Sequence, residues 1–484
     1  MGFDEESDED AVGQAASAVS YKINSLELEN DSGASRTYTD NPHVSLKRGP
    51  IAANPFFQSL GTNGRACVHC HLPGEGWTIT PALVQWRFSH PLVTSNPDCL
   101  CDPRLCAAEP DPARHGLDPI FRRVDGANSP LADVSTAAAR AAAYSMLLER
   151  AVIRVGIGIP VSAQFELAAV DDPYGYASAA ELSLFRRPLP STNLRLSPVG
   201  GAPGVPVVTA VMWDGRVARP GHDIIADLLD QADGATLGHA EATAGLTEAQ
   251  RDAIVEFETG LHTAQFRDDL AGNLRAAGAR GGPDWLAEHQ PFYLGINDVL
   301  VGDSVTGAPF DPDVFTLYDG WAASSNAARA RIARGQAIFN RKPIAITGVG
   351  GLNDDLGVEV IAGTCSTCHD SPNYGHHSVR LPVNIGTADG AIRTPDLPLY
   401  TLRNKTTGET VATTDPGRAL VSGRWRDIGK FKGPILRGLA ARAPYFHNGM
   451  APRVEDVIDF YDTRFDIGLS ASEKADLAAF LLAL

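Results

Sequence analysis

The pattern of apolar and polar residues along the chain predicts mainly helices. An alanine-rich run predicts a helix from Ser135 through Ile153, with Ser135 as its N-cap. Further helices are predicted at residues 222–231, 248–266 after Thr247 as cap, 325–340 and 455–461, and a last helix to residue 484 begins with a capping box of Ser470 and Glu473. Between about residues 152 and 170 apolar positions alternate, which predicts a short β-hairpin. The alternating residues are Val155, Ile157, Ile159, Phe165, Leu167 and Ala169.

Composition and charge narrow the class of protein. The 484 residues are 44% hydrophobic and 20% charged, which is typical of a globular chain large enough for more than one domain. The formal net charge of −17, without an offsetting basic cluster, disfavours binding to nucleic acids. No apolar run reaches the length of about 18 residues that a membrane span requires, so no span is predicted.

Two Cys-x-x-Cys-His motifs indicate the chemistry. In c-type cytochromes the two thiols of this motif add to the vinyl groups of one haem, and the adjoining histidine supplies an axial nitrogen to the iron. The sequence therefore predicts two covalent haem c groups, one on Cys67, Cys70 and His71 and one on Cys365, Cys368 and His369. Redox cysteine pairs and zinc sites are the alternatives, but neither requires a histidine directly after the second cysteine.

The motifs also bear on location. Haem attachment of this kind takes place outside the cytoplasm, so we expect a periplasmic or secreted protein. The acidic first residues lack an apolar signal core, and we expect that an export signal has been removed or replaced. A loop rich in Asp and Pro contains Cys99, Cys101 and Cys106, for which one disulfide with one remaining thiol, or three free thiols, both stay open.

The chain is expected to divide into two units, each with one haem motif. Residues 1–45 are acidic and polar and predict a flexible lead-in. Residues 46–285 would form the N-terminal haem domain, with an insertion at about 150–200, and residues 286–324, rich in Gly and Pro, would form the connection. Residues 325–484 would form the C-terminal haem domain. Aromatic residues precede both motifs, at Phe56, Phe57 and Phe339, so the two halves are interpreted as distant copies of one unit.

Three further segments carry a family resemblance. They are residues 211–216 (VMWDGR), 431–437 (FKGPILR) and 443–449 (APYFHNG). Together with the two haem motifs in matching order, the chain resembles the bacterial di-haem cytochrome c peroxidase and MauG superfamily over about half its length. The resemblance implies a mainly α-helical protein of two cytochrome c-like haem domains, with loop and short β insertions, in which both haems lie near the domain boundary.

The resemblance implies a peroxide-reactive first haem with a distal Gln and, ten residues later, a distal Glu. These positions fall on Gln231 and Glu241. Gln231 would orient peroxide, and Glu241 would move the proton that cleavage of the O–O bond requires. Ala235 replaces a common proline, and His239 is an extra polar group that competes with either assignment. His90 is expected to be either a sixth ligand of the first iron in a resting state or an ordinary surface or packed histidine.

For the second haem, the family places a distal ligand 14 residues after the histidine of its Pro-Tyr-Phe-His segment, here His447. That position is Tyr461. Conventional peroxidases have Met there, whereas MauG-like members have Tyr, whose phenolate favours the oxidised metal. Met450 is the competing ligand, and a buried core aromatic is the alternative role for Tyr461. Trp213 matches the tryptophan that the family places between the haems as an electron relay, with simple packing as its alternative.

The resemblance also implies a calcium ion between the haems, bound by the Asn128 side chain and the carbonyls of Arg442 and Pro444. As function it implies MauG-like activation of hydrogen peroxide at the first haem, with storage or relay of oxidising equivalents at the second. The alternatives are a conventional cytochrome c peroxidase served by a small electron-donor protein, an oxygen-dependent di-haem oxygenase, and a non-enzymatic electron carrier. The oxidised partner would be a protein or an organic molecule.

Overall fold

The computed structural model describes residues 25–47, 50–90, 115–196, 211–218, 223–288, 293, 295–299, 301–378 and 382–484. The first 24 residues lie outside this set, and so do Cys99, Cys101 and Cys106, so their state stays a prediction. Within the described part of the chain, no helix is both long and apolar enough to cross a membrane.

Helices and small sheets alternate along the chain. The α-helices are α1 (Pro81–Ser89), α2 (Ala137–Ala143), α3 (Ser145–Arg150), α4 (Ile224–Gly238), α5 (Glu248–Thr259), α6 (Asp284–Glu288), α7 (Ala327–Arg341), α8 (Asn353–Leu356), α9 (Ala419–Ser422), α10 (Val454–Phe465) and α11 (Ala471–Leu482). Helices hold 32% of the residues and strands 18%. The expected fold class, mainly α, is therefore confirmed only in part, because the strand content makes the fold mixed.

The strands form four small sheets within the described residues. Their bounds are β1 (Ser25–Asn30), β2 (Gly33–Tyr38), β3 (Ile153–Ile157), β4 (Phe165–Asp171), β5 (Leu182–Arg186), β6 (His262–Asp268), β7 (Gly272–Asn273), β8 (Ile344–Thr347), β9 (Val360–Gly363), β10 (Leu399–Asn404) and β11 (Thr410–Thr413). The sheet orders are β1-β2-β6-β7, β11-β10-β4, β3-β5 and β8-β9.

Two sequence-based expectations about strands are wrong. The predicted hairpin contains two strands, but β3 pairs with β5 and β4 pairs with β10, so the two do not pair with each other. Within the predicted flexible lead-in of residues 1–45, residues 25–38 instead form an antiparallel hairpin whose second strand pairs with β6, while residues 1–24 lie outside the described residues. The pairings of β2 with β6 and of β4 with β10 join segments far apart in sequence, for which local patterning gives no information.

The helix ends agree with the sequence-based predictions more closely than the strand pairings do. Ser470 and Glu473 form the predicted capping box at the start of α11. The alanine-rich helix begins after Thr136, not Ser135, because the Thr136 hydroxyl accepts from the Ala139 N–H at 3.1 Å. It breaks at Tyr144, where the backbone leaves helical geometry and α2 gives way to α3.

Two predicted helices have different lengths in the structure. α4 continues past Gln231 and through Gly234, which would ordinarily favour an earlier end, and stops at Gly238. α5 stops at Thr259, because the Gly260 N–H closes the last turn and the chain then enters β6. The predicted helix at residues 248–266 is therefore helical only over its first 12 residues, and its end, from His262, belongs to β6.

Each haem motif borders its own hydrophobic core. Cys67 packs against a core that includes Phe56, Phe57, Trp77, Leu228 and Phe257. Cys365 packs against a second core that includes Phe315, Trp321, Phe339, Ile458 and Phe480. Ala271, Leu274 and Ala279 join this second core, although they precede the expected boundary at residue 285.

Candidate functional site

The first Cys-x-x-Cys-His motif lines a cavity of about 190 Å³. Its first cysteine opens a short 3-10 turn, Cys67–His69, and the chain then places His71 against the cavity. The Nδ1 atom of His71 lies 3.2 Å from the Trp77 carbonyl. Burial lowers the pKa of His71 to about 4, so the ring is neutral at ordinary pH. A neutral ring that donates from Nδ1 keeps its Nε2 lone pair for a metal.

The second motif is built in the same way around a cavity of about 240 Å³. His369 Nδ1 lies 2.7 Å from the Gly375 carbonyl, again six residues along the chain. The ring of Phe339 lies 6.0 Å from that of His369, and the ring of Phe56 lies 6.4 Å from that of His71. The two histidines are thus held by equivalent contacts.

The cysteines fit thioether attachment better than the alternatives. All four thiols are free, so neither pair forms a disulfide. Burial raises the pKa of Cys67, Cys365 and Cys368 to about 12, whereas a reactive redox pair needs a lowered thiol pKa. No group of three or more His, Cys, Asp or Glu that could hold a metal ion occurs among the described residues.

One wall is common to both cavities. The residues that line both are Arg187, Pro188, Leu189, Pro190, Trp213, Lys432, Pro434 and Arg442. Arg187 donates to the Ile79 carbonyl at 2.8 Å and Arg442 donates to the Ile435 carbonyl. Across the part of the chain that the structure describes, none of the three cations in this wall forms an ion pair with a carboxylate.

Burial lowers the pKa of all three cations, to about 9 for Arg187, about 8 for Lys432 and about 10 for Arg442. Buried cations normally have an anionic partner. Haem carries two propionate carboxylates, so the cations between the cavities fit the presence of haem on both sides.

Trp213 is fixed within the shared wall. Its indole N–H donates to the Arg187 carbonyl at 2.8 Å, and its own carbonyl accepts from the Lys432 N–H at 2.8 Å. The next residue, Asp214, is fully buried and bonds Arg186 at 2.5 Å. The ring centroid of Trp213 lies 6.3 Å from that of His447.

The structure separates the residues predicted for the distal side of the first haem. Gln231 and His239 line the first cavity. Glu241 does not; its side chain is exposed, and its backbone is in the left-handed region at φ 52°. His90 also lies outside the lining, with its ring stacked on Trp86 and its Nδ1 2.9 Å from the Trp86 carbonyl.

Tyr461 projects from α10 into the second cavity, which His369 also lines. Its hydroxyl has no hydrogen-bond partner among the described residues, and burial raises its pKa. Met450 is not part of the cavity wall. Its N–H donates to the Asn448 side chain in the turn that follows His447. Of the two ligands considered for this haem, only Tyr461 shares a cavity with His369.

The predicted calcium ligands have protein partners. Asn128 is buried, its Oδ1 accepts from the Met146 N–H at 3.2 Å, and its amide donates to Ser145 at 2.8 Å. The Arg442 carbonyl accepts from the Arg187 guanidinium at 3.1 Å. The Arg187 guanidinium bonded to this carbonyl disfavours binding of a calcium ion to the same oxygen. Pro444 lines the second cavity.

Sequence reasoning assigned no role to several residues of the site. Arg187 and Lys432 were missed because isolated cations have no recognisable spacing. Asp125, which bonds His239, was missed because it lies 114 residues away from it. His239 was noted only as a residue that could take the place of Gln231 or Glu241. It lies eight residues after Gln231, which is two intervals of four and places both residues on one helix face.

The chain is similar to curated proteins named cytochrome-c peroxidase. It is 35% identical over 140 residues to cytochrome-c peroxidase IdrP2 of Denitromonas iodatirespirans, covering 26% of this chain and 38% of the relative. It is 31% identical over 293 residues to cytochrome-c peroxidase IdrP2 of Pseudomonas sp. (strain SCT), covering 56% of this chain and 64% of the relative. No protein-family model matches the chain. The chain spans less than two thirds of either relative, and the similarity confirms the resemblance to cytochrome c peroxidases.

Proposed function

We propose that the protein is a di-haem c-type peroxidase in which hydrogen peroxide reacts in the first cavity and oxidising equivalents reach the second. The observation that carries this proposal is the pair of cavities, each lined by one Cys-x-x-Cys-His motif, on either side of a wall that contains Trp213. When bound, haem c supplies an iron that changes oxidation state and an axial position for a small oxidant.

In the first cavity, Cys67 and Cys70 would hold the haem and His71 would provide the axial nitrogen. The Gln231 amide faces the cavity without a hydrogen bond to the described residues, so it is available to orient peroxide. Reduction of peroxide to two water molecules consumes two protons and two electrons, which requires a group that moves protons. By resemblance this group is Glu241, although its exposed side chain is not part of the cavity wall.

In the second cavity, Cys365 and Cys368 would hold the haem between His369 and Tyr461. A phenolate ligand favours the oxidised metal, so Tyr461 supports the MauG-like function, in which this site stores or relays oxidising equivalents received through Trp213. The substrate would then be an oxidisable protein or organic molecule. The names of the relatives favour the second candidate, a conventional cytochrome c peroxidase that receives electrons from a small donor protein.

Other parts of the assignment are carried over as proposals from the sequence. They are the two haem domains at residues 46–285 and 325–484, the periplasmic or secreted location and the calcium ion at Asn128, Arg442 and Pro444. The calcium proposal is tested by thermal unfolding of chelator-treated protein with and without added calcium. A raised unfolding temperature supports the site, and an unchanged one contradicts it.

The central experiment counts haems and tests the oxidant. We expect pyridine haemochrome analysis to give two haems per chain, ferric electron paramagnetic resonance to show a high-spin signal, and anaerobic hydrogen peroxide to change the spectrum. A chain with two haems, no high-spin signal and no response to peroxide would be an electron carrier. A response to dioxygen with reductant, but not to peroxide, would identify an oxygenase.

A further inference from the structure

One face of α4 forms a side of the first cavity. The residues of this helix and its cap that line the cavity are Ile224, Leu228, Gln231, Ala232, Ala235, Thr236 and His239. Their spacing of three and four is that of a single helix face. His239 is the last of them and caps the helix, with its N–H donating to the Ala235 carbonyl at 2.8 Å. The same face therefore presents the Gln231 amide and the His239 ring.

The ring of His239 is oriented by a buried ion pair. Its Nδ1 lies 2.5 Å from Oδ2 of Asp125, and the other oxygen of Asp125 accepts from the Arg65 guanidinium. Asp125 and Arg65 are 3% and 2% exposed, and the pKa of Asp125 is lowered because the attraction of Arg65 and His239 outweighs burial. With Nδ1 directed at a carboxylate, Nε2 is left to exchange protons, and it has no partner among the described residues.

The backbone around His239 is fixed to the loop that precedes the first haem motif. The His239 carbonyl accepts from the Asn63 amide at 2.8 Å, and the Glu241 carbonyl accepts from the Thr62 hydroxyl at 2.8 Å. These contacts hold His239 beside the motif. Two residues later, the left-handed backbone directs Glu241 to the exposed surface.

Glu258 is the carboxylic acid residue that lines this cavity, and burial raises its pKa to about 7. It follows Phe257 on α5, whose ring lies 5.2 Å from that of Phe56. Phe56 in turn packs beside His71, at 6.4 Å between ring centroids. Glu258 thus comes from the helix that packs against Phe56, whereas Gln231 comes from α4.

We infer that His239 is the group that exchanges protons with peroxide in the first cavity, and that Asp125 positions its ring. The inference rests on the proposed peroxidase function and gives His239 the task that the resemblance assigns to Glu241. Nε2 accepts the proton of one peroxide oxygen and returns it to the other, which leaves as water when the O–O bond breaks. The remaining oxygen takes up two solvent protons to form the second water. The two electrons would be supplied by the bound haems and replaced by the electron donor.

The test compares His239→Gln with His43→Gln, an exposed histidine that lines neither cavity. Both variants should retain two haems and the wild-type ferric resonance spectrum. We expect His239→Gln to lower the rate constant for hydrogen peroxide about 100-fold, and His43→Gln to leave it unchanged. His239→Glu, which restores an acid–base group, should be at least about tenfold faster than His239→Gln.

Association of hydrogen cyanide gives a measurement without turnover, because cyanide binding also requires removal of a proton. We expect it to slow in His239→Gln and, by about tenfold, in Asp125→Asn with unchanged haem spectra. Wild-type rates in His239→Gln, with the loss found instead in Glu241→Gln or Glu258→Gln, would overturn the inference. A change of the first haem from low to high spin in His239→Gln would also overturn the inference, because it would identify His239 as an iron ligand. Wild-type protein that holds two haems but ignores peroxide would refute the peroxidase function itself.

Discussion

The indole nitrogen of Trp213 donates a hydrogen bond of 2.8 Å to the carbonyl of Arg187. Both residues belong to the wall between the two cavities, so this bond sets the angle of the ring between the proposed haems. An aromatic ring held in a fixed orientation between two redox groups is suited to relay an electron.

Replacing Trp213 by Phe removes the donor and the larger ring system. We expect both haems to be retained, a loss of about 1 kcal/mol in unfolding free energy because the Arg187 carbonyl loses its partner, and slower oxidation of the second haem after peroxide addition. Stopped-flow absorbance measures that delay. Trp425→Phe, at a tryptophan outside both cavities, is the matched control, and equal delays in the two variants would exclude the relay.

Tyr461→Phe tests the second axial ligand. The variant keeps the ring but removes the only oxygen through which Tyr461 can bind iron, so we expect changed absorption and resonance spectra of the second haem and a higher reduction potential. The first haem should keep its spectrum. Tyr176→Phe, whose hydroxyl bonds Glu181 at 3.2 Å, should leave both haems unchanged. An unaltered second haem in Tyr461→Phe would rule out ligation.

Lys432→Met tests the cationic wall. A positive charge near haem disfavours the oxidised iron, so its removal should lower the reduction potentials of both haems. For a unit charge at roughly 10 Å and an effective dielectric constant of about 20, the effect is on the order of 1–2 kcal/mol. Redox titration provides the measurement, with Lys474→Met, a surface lysine paired with Asp459, as control. Unchanged potentials would show that Lys432 does not face the haems.

Stability in acid should depend on Glu473. Its pKa is lowered to about 2 because Lys342 donates to the carboxylate at 2.7 Å, and Ser470 adds two further hydrogen bonds. A carboxylate with a lowered folded-state pKa stabilises the protein above its unfolded pKa, here 4.5, and loses this effect as the pH falls toward 2.

Glu473→Gln should therefore lower the unfolding free energy at neutral pH by less than about 1 kcal/mol and reduce its acid dependence between about pH 4.5 and pH 2. Urea unfolding of the variant and of wild type at several pH values checks this. Glu359→Gln, an exposed glutamate without an ion pair in the described chain, should follow wild type. An identical acid dependence in Glu473→Gln would contradict the assignment.

The parts of the fold that could be predicted from sequence depend on local chemistry. The capping box of Ser470 and Glu473 and the position of α7 follow from residues only a few places apart. The pairing of β2 with β6 and of β4 with β10 joins segments more than 200 residues apart, for which the alternating pattern specifies a strand but not its partner.

The same limit applies to the site. The haem motifs have a fixed spacing, and Gln231, Trp213 and Tyr461 were located by resemblance and do line the cavities. The predicted end of α4 at Gln231 hid the helical spacing that brings His239 onto the same face. Its contact with Asp125 depends on tertiary packing, as does the gathering of Arg187, Lys432 and Arg442 in one wall.

The pairing of β4 with β10 joins a strand that follows the first haem motif to one that follows the second. Phe165 and Leu402 from the two strands lie in one fully buried cluster, together with Leu182 and Tyr400. Separating the halves would expose this cluster and leave β4 without its backbone partner. The two segments thus share one sheet and one hydrophobic cluster. A fragment that contains only one motif should therefore not reproduce the unfolding transition of the intact chain.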